Sequence, residues 1–224
     1  MIQDTMIQDI TTQDITTQDP SQPATQPANP SVKWPEILAL TLGGVGLIGA
    51  AIAGLSHKLV TNMYETQRVE KIAQRIVLYQ FPQVSKGTIG LSIGAESFAV
   101  ISDRAVNPEL RLFVQRSPVD RTERTAEFVR EIGATAAWSG TWEDGLKTQT
   151  DAFAYCSQET EMETRQGNWL EAGREESVPA IEYRLSAVTQ RNEKQYDQNI
   201  RILATGPQAR QKAESLLRSI QCRV

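Results

Sequence analysis

Nineteen consecutive positions, residues 37–55, carry no charged side chain, and no other feature limits so strongly what this chain can fold into. Lys33 and Glu36 precede the stretch; His57 and Lys58 follow it. At 1.5 Å per residue a helix of this length reaches about 28 Å, close to the hydrocarbon thickness of a bilayer, and a helix satisfies its own backbone there. The stretch predicts a single-pass transmembrane helix in membrane lipid, with a tethered soluble domain after it.

Gly44-Val45-Gly46-Leu47-Ile48-Gly49 also matches G-x-G-x-x-G, the strand-to-helix turn that lets backbone approach a pyrophosphate, with Glu65 downstream as a ribose ligand. Against that reading, the apolar character runs unbroken through Ala50, Ala51, Ile52, Ala53 and Leu55, and no alternation of strands and helices follows. The small residues have a simpler use. Gly46, Ala50 and Gly54 recur at i, i+4 and i+8 on one helical face, with Gly49 and Ala53 beside them, so another transmembrane helix can approach closely. A face that meets lipid is the plainer alternative.

Residues 1–36 read as a disordered tail. Gln3-Asp4, Gln8-Asp9, Gln13-Asp14 and Gln18-Asp19 recur with a five-residue period, which suits neither a helix face nor a strand face, and Pro20, Pro23, Pro27, Pro30 and Pro35 follow. A basic start leading into an apolar core is missing, so the tail is not a cleavable signal peptide. Before the span stands only Lys33; after it come Lys58, Arg68, Lys71 and Arg75. Basic residues stay on the cytoplasmic side during insertion, which favours a cytoplasmic C-terminal domain, with a lumenal or periplasmic one as the alternative. Cys156 and Cys222 are the only cysteines, and two reduced thiols or one bridge both fit.

Residues 56–75 are expected as a juxtamembrane helix, and Val69, Ile72, Ile76 and Tyr79 make an apolar seam along its end and just past it. A short coiled coil, the first helix of the domain, or a passage into a strand over residues 76–80 all fit this seam; the run Ile76-Val77-Leu78-Tyr79 before Pro82 favours the strand. Residues 76–224 are long enough for one core. Ile89, Leu91 and Ile93 alternate, residues 94–97 turn, and Phe98 to Ile101 return as a hairpin; Leu110, Leu112 and Val114 continue in a third strand. Asp120 and Glu123 have capping-box spacing ahead of a helix carrying Ala126, Val129 and Ile132 and closing at Gly133. Residues 134–178 are poorly legible, with one strand at 152–156 and a charged loop at 171–176. Ile181, Tyr183, Leu185 and Ala187 alternate, as do Ile200, Ile202 and Ala204. A terminal helix follows, with Pro207 in its first turn and a stripe of Ala209, Ala213, Leu216, Leu217 and Ile220.

This order implies an α+β domain, a mostly antiparallel sheet covered by helices. The ending Asn199-Ile200-Arg201-Ile202-Leu203-Ala204-Thr205-Gly206, followed by Pro207 and a helix closing on Ser215-Leu216-Leu217-Arg218-Ser219-Ile220, resembles the final strand and helix of PsbP-type sandwich domains. Tyr79-Gln80-Phe81-Pro82, Gly87 and the hairpin of residues 90–100 resemble uncharacterised single-pass membrane proteins of cyanobacteria. The resemblance spans about residues 76–222 and rests on strand and helix punctuation. It implies an accessory or assembly role at photosynthetic complexes and a lumenal position, against the charge-based topology, and carries over no functional residues.

Catalytic chemistry is thinly represented. The one histidine, His57, lies at the membrane boundary, and two distant cysteines lack metal-ligand spacing. No cofactor or metal is expected. Glu143 with Asp144, Glu159 with Glu161 and Glu163, and Glu175 with Glu176 supply carboxylates for acid–base work or a hard cation, although alternate positions on a strand form a solvated face by default. Trp138, Trp142 and Trp169 suit core anchoring or an exposed partner-binding patch. From residue 76 onward eighteen Lys and Arg face twenty Asp and Glu with no basic run, which argues against nucleic acid. Two functions follow as expectations. One is a non-enzymatic membrane-anchored interaction or assembly protein, an accessory subunit whose partner is another transmembrane helix or membrane protein complex. The other is a membrane-tethered enzyme or ligand-binding domain using the acidic, Trp-containing region 138–176 around a concave pocket.

Overall fold

The computed structural model describes residues 34–104, 106–120 and 139–223. Residues 1–33 of the predicted tail and the capping-box helix from residue 121 lie outside these, while residues 34–36, expected in the tail, already belong to the first helix. The chain divides into two compact units, with the division between Gly49 and Ala50, inside the first helix.

That helix, α1, runs over Trp34–Met63. Pro35 sits in its first turn, where a missing N–H costs nothing. No glycine or proline interrupts residues 55–63, so the helix continues past the expected boundary at residue 55. Residues Ile37–Met63 are long and apolar enough to cross a membrane, and none of the span's most apolar stretch is buried in the protein. Thr41 donates its hydroxyl to the Ile37 carbonyl at 2.8 Å, so its polar atom is satisfied within the helix.

The remaining elements are α2 (Thr66–Ile76), β1 (Val77–Leu78), β2 (Lys86–Ile93), β3 (Glu96–Ser102), β4 (Leu110–Pro118), β5 (Gly140–Trp142), β6 (Lys147–Tyr155), β7 (Gln158–Glu171), β8 (Val178–Arg191), β9 (Lys194–Thr205), α3 (Ala209–Ser219) and β10 (Gln221–Cys222). The fold is α+β. Its main sheet has eight strands in the order β2-β3-β4-β9-β8-β7-β5, with β6 also paired to β7. Every pairing is antiparallel, including the separate ribbon of β1 and β10.

Period-two alternation sends Leu110, Leu112, Val114, Ile181, Tyr183, Leu185, Ile200 and Ile202 to one face, where α2 and α3 cover them. From α2 come Val69, Ile72, Ala73 and Ile76; from α3 come Ala209, Ala213, Leu216 and Leu217. Close packing of α2 depends on Gly87 and Gly90. A Cβ on Gly87 would lie 2.6 Å from the Thr66 carbonyl oxygen and one on Gly90 3.2 Å from Val69, so β2 must be bare there. The seam on residues 69–76 therefore serves the domain's own core, which replaces the coiled-coil reading. The strand favoured over residues 76–80 shrinks to β1, because Ile76 still belongs to the helix.

The middle of the domain departs most from expectation. The expected strand is present as β6 and the charged loop follows β7 at residues 172–177, but β5 and the 14-residue β7 join them. β6 is exposed along most of its length and β7 is polar on both faces, so neither shows apolar alternation. Pro207 lies just ahead of α3 rather than inside it, and the chain then adds β10. Cys156, in the β6–β7 turn, is bridged to Cys222 of β10, 66 positions away, so the bridge alternative is the one realised. Beside the bridge, Tyr155 donates its hydroxyl to Gln198 at 2.9 Å, and Gln198 donates to the Ile76 carbonyl at 3.2 Å. Burial pushes the Tyr155 hydroxyl up to about 12.

Candidate binding face

The opposite face of the same strands is built differently. Where one face takes Leu112 and Val114 of β4, the other takes Arg111, Phe113 and Gln115; β9 contributes Arg201 and Asn199, β8 contributes Glu182, Arg184 and Ser186, and β7 contributes Glu163 and Arg165. Register brings these into rows. Arg201 stands opposite Arg184, which stands opposite Glu163, while Glu182 stands opposite Arg165.

Charges of both signs interlock there. Glu182, only 1% exposed, accepts from Arg201 at 2.6 and 2.8 Å through one oxygen and meets Arg184 at 3.0 Å through the other. Glu163 takes Arg165 at 2.6 Å, and Glu171 at the far end of β7 accepts from Arg111. Burial pushes the Arg201 guanidinium down to about 10, opposed by the Glu182 carboxylate and reinforced by Arg184. A carboxylate this deep is retained by several charge-assisted bonds at once.

Beside the ion pairs the face opens into a concavity of about 970 Å³. Glu159, Glu161 and Glu163 of β7, Arg184 and Arg201, and Gln115, Ser186 and Asn199 are among its lining, with apolar surface from Phe113, Ala187 and Val188. Ser186 donates to Asn199 at 2.7 Å, which orients the amide. Such a lining offers hydrogen bonds and charges of both signs, suited to a polar or zwitterionic group.

The residues singled out in the sequence fall into three places. Gly46, Gly49, Ala50, Ala53 and Gly54 lie on α1, all exposed, and a Cβ on Gly46, Gly49 or Gly54 would meet nothing within 4 Å. The turn motif of residues 44–49 lies inside that continuous helix, so no pyrophosphate-binding turn exists there. Trp142 and Trp169 meet edge to face at 5.4 Å at the β5–β7 pairing, with Trp169 buried, while Trp138 lies outside the described residues. The Glu159, Glu161 and Glu163 series does share one strand face, and it borders the concavity. Glu143 instead accepts from Ser177 at 2.6 Å in a distant turn, Glu175 and Glu176 are exposed in a bend, and His57 lies in α1.

Sequence reading missed Arg184, Arg201, Gln115, Ser186 and Asn199, since polar residues alternating with a buried stripe read as a solvent face. A usable signal was present: Glu182 and Arg184 on one strand and Arg201 on the next, all in the off-core register. Among the described residues no cluster of three or more His, Cys, Asp or Glu side chains is placed to hold a metal ion. No protein-family model matches the chain, and no curated protein aligns with it significantly.

Proposed function

We propose that this protein is a non-enzymatic, single-pass membrane-anchored interaction or assembly protein, an accessory subunit of a membrane protein complex. The observation that carries the reading is α1. A helix this long and apolar, with residues 37–58 exposed, suits a lipid environment, and the open face of Gly46, Ala50 and Gly54 offers close contact to a second helix. The resemblance to PsbP-type domains implies the same kind of role.

The orientation we propose places the C-terminal domain on the lumenal or periplasmic side. Disulfides persist in oxidising compartments and are rare in the cytosol, and the Cys156–Cys222 bridge outweighs a difference of a few basic residues across the span. Cleavage of the domain by protease added to the cytoplasmic face of the sealed membrane would contradict this placement.

Native size in mild detergent tests the main reading, comparing wild type with a variant carrying Gly46→Leu and Ala50→Leu. We expect a discrete larger complex that dissociates in the variant. A wild type that runs alone as a monomer removes the reading's support.

The concavity on the polar face favours a second reading, a tethered ligand-binding domain that uses Glu159, Glu161 and Glu163 with Arg184 and Arg201. Under it, a polar metabolite mixture yields a ligand retained by wild type and lost on Glu161→Lys, with the native size of the complex unchanged.

A further inference from the structure

At the C-terminal end of α2, cations accumulate without counterions among the described residues. Arg116 of β4 donates to the Arg75 carbonyl at 3.3 Å and lies over the Tyr196 ring, 5.2 Å from its centre. Arg223, just after β10, donates to the carbonyl of Gln74. Arg191 stands at the tip of the β8–β9 hairpin, opposite Lys194 in register, and its charge acts on Arg116.

Capping explains part of this arrangement. The last carbonyls of a helix are unpaired and carry about half a negative charge, which one guanidinium satisfies. Four guanidinium groups exceed that requirement severalfold. The ion pairs among the described residues lie elsewhere, and the acidic side chains on the flanking turns, Asp120 and Glu193, are exposed and join none of them. The Nε of Arg116 is buried with no hydrogen-bond partner. Burial first, then repulsion from Arg191, Arg75 and Arg223, holds its guanidinium below the usual arginine range, with the Tyr196 hydroxyl group acting the other way.

We propose that Arg75, Arg116, Arg191 and Arg223 form a binding site for a phosphate group. A phosphate brings several strong acceptor oxygens and matches converging guanidinium forks better than a single carboxylate does. Two sources share this chemistry, free phosphate-bearing solutes and the headgroups of anionic lipids. The lipid source is within structural reach: a groove lined by Glu65, Arg68, Lys71 and Arg75 extends along α2 back to its start, and α2 begins within three residues of the end of α1. The proposal is independent of the concavity on the other sheet face; its lipid source, unlike its soluble one, rests on α1 lying in a membrane.

The test uses the full chain in neutral detergent. Inorganic phosphate is titrated by calorimetry against chloride at matched ionic strength, and phosphatidylglycerol is compared with phosphatidylcholine by native mass spectrometry. Arg191→Gln and Arg75→Gln are the working variants, because neither side chain makes a hydrogen bond or ion pair among the described residues and the fold does not depend on them. We expect saturable binding weakened about tenfold by either variant, the loss of one charge-assisted bond. We also expect an unfolding midpoint in the ligand-free variants equal to or above that of wild type, since a repulsive charge has gone. Binding of inorganic phosphate identifies a soluble source; retention of phosphatidylglycerol alone identifies a headgroup. Phosphate no better than chloride together with phosphatidylglycerol no better than phosphatidylcholine overturns the proposal, as does unchanged affinity in both variants.

Discussion

The two faces of the eight-stranded sheet are drawn from the same strands, and they do opposite things with them. One face carries Leu112, Ile181, Leu185, Ile200 and Ile202 against two helices, an apolar core that needs only volume and exclusion of water. The other carries Arg111, Glu163, Arg165, Glu182, Arg184 and Arg201 in ion pairs whose partners are fixed by register. A side-chain period of two lets an apolar core and a charged face occupy alternate residues of one strand without competing.

Several measurements sharpen or break that contrast. The largest effect is expected at the margin of the apolar side, where the Cys156–Cys222 bridge closes a long loop. Cys222→Ser should lower unfolding free energy by about 4 kcal/mol, read by denaturant titration without reductant, and added reductant should bring wild type to the same midpoint.

Next come two substitutions of similar cost and different cause. Leu216→Ala, at a fully buried position on α3, should lose about 3 kcal/mol through lost contacts and a cavity. Glu182→Gln should lose about 3 kcal/mol because it removes the buried carboxylate that Arg184 and Arg201 share. The comparison turns on rescue. Replacing Glu182, Arg184 and Arg201 together by Leu, Met and Met should recover most of the loss, since a well-packed apolar substitute is often as stable as a buried ion group. Failure of that rescue would show that the polar face is structurally indispensable rather than substitutable.

Tyr155→Phe is smaller, about 1 kcal/mol, since it removes one buried hydrogen bond to Gln198. It also carries a pH signature. The native hydroxyl titrates near 12 and the unfolded one near 10.0, so its contribution is intact below 10.0 and falls as pH rises towards 12. The alkaline limb of the stability profile should be shallower in the variant.

The least effect belongs to Lys212→Met. A hydrogen bond from Lys212 holds the Glu109 carboxyl below its ordinary range, with the charges of Lys212 and Arg104 adding to it and burial opposing. A carboxyl depressed in the folded state stabilises above its unfolded pKa, and this is lost as pH falls through the folded value. The pair is partly exposed, so the variant should lose less than about 1 kcal/mol near neutrality, and nothing at a pH where Glu109 is protonated in both states.

Legibility in the sequence followed burial. The stripe of α3 and the alternation in β4, β8 and β9 were readable because one side of each element is apolar and the other is not. β6 and β7 were not, because their exposed or ion-paired residues leave no contrast between faces. The candidate binding face was hidden for a related reason: Arg184 and Arg201 look like solvent-facing residues until the strands are assembled side by side. The Glu159, Glu161 and Glu163 spacing was visible, and only the sheet's shape put it beside a concavity.

By itself the sequence determined the long apolar helix, the α+β class and the position of the terminal helix, all of which depend on local period and composition. Tertiary structure alone decided that the α2 seam packs inward, that Cys156 meets Cys222, and that Arg116 and Arg223 reach the last carbonyls of α2. These depend on contacts between residues far apart in the chain, and periodicity records which face a residue occupies, not which distant segment that face will meet.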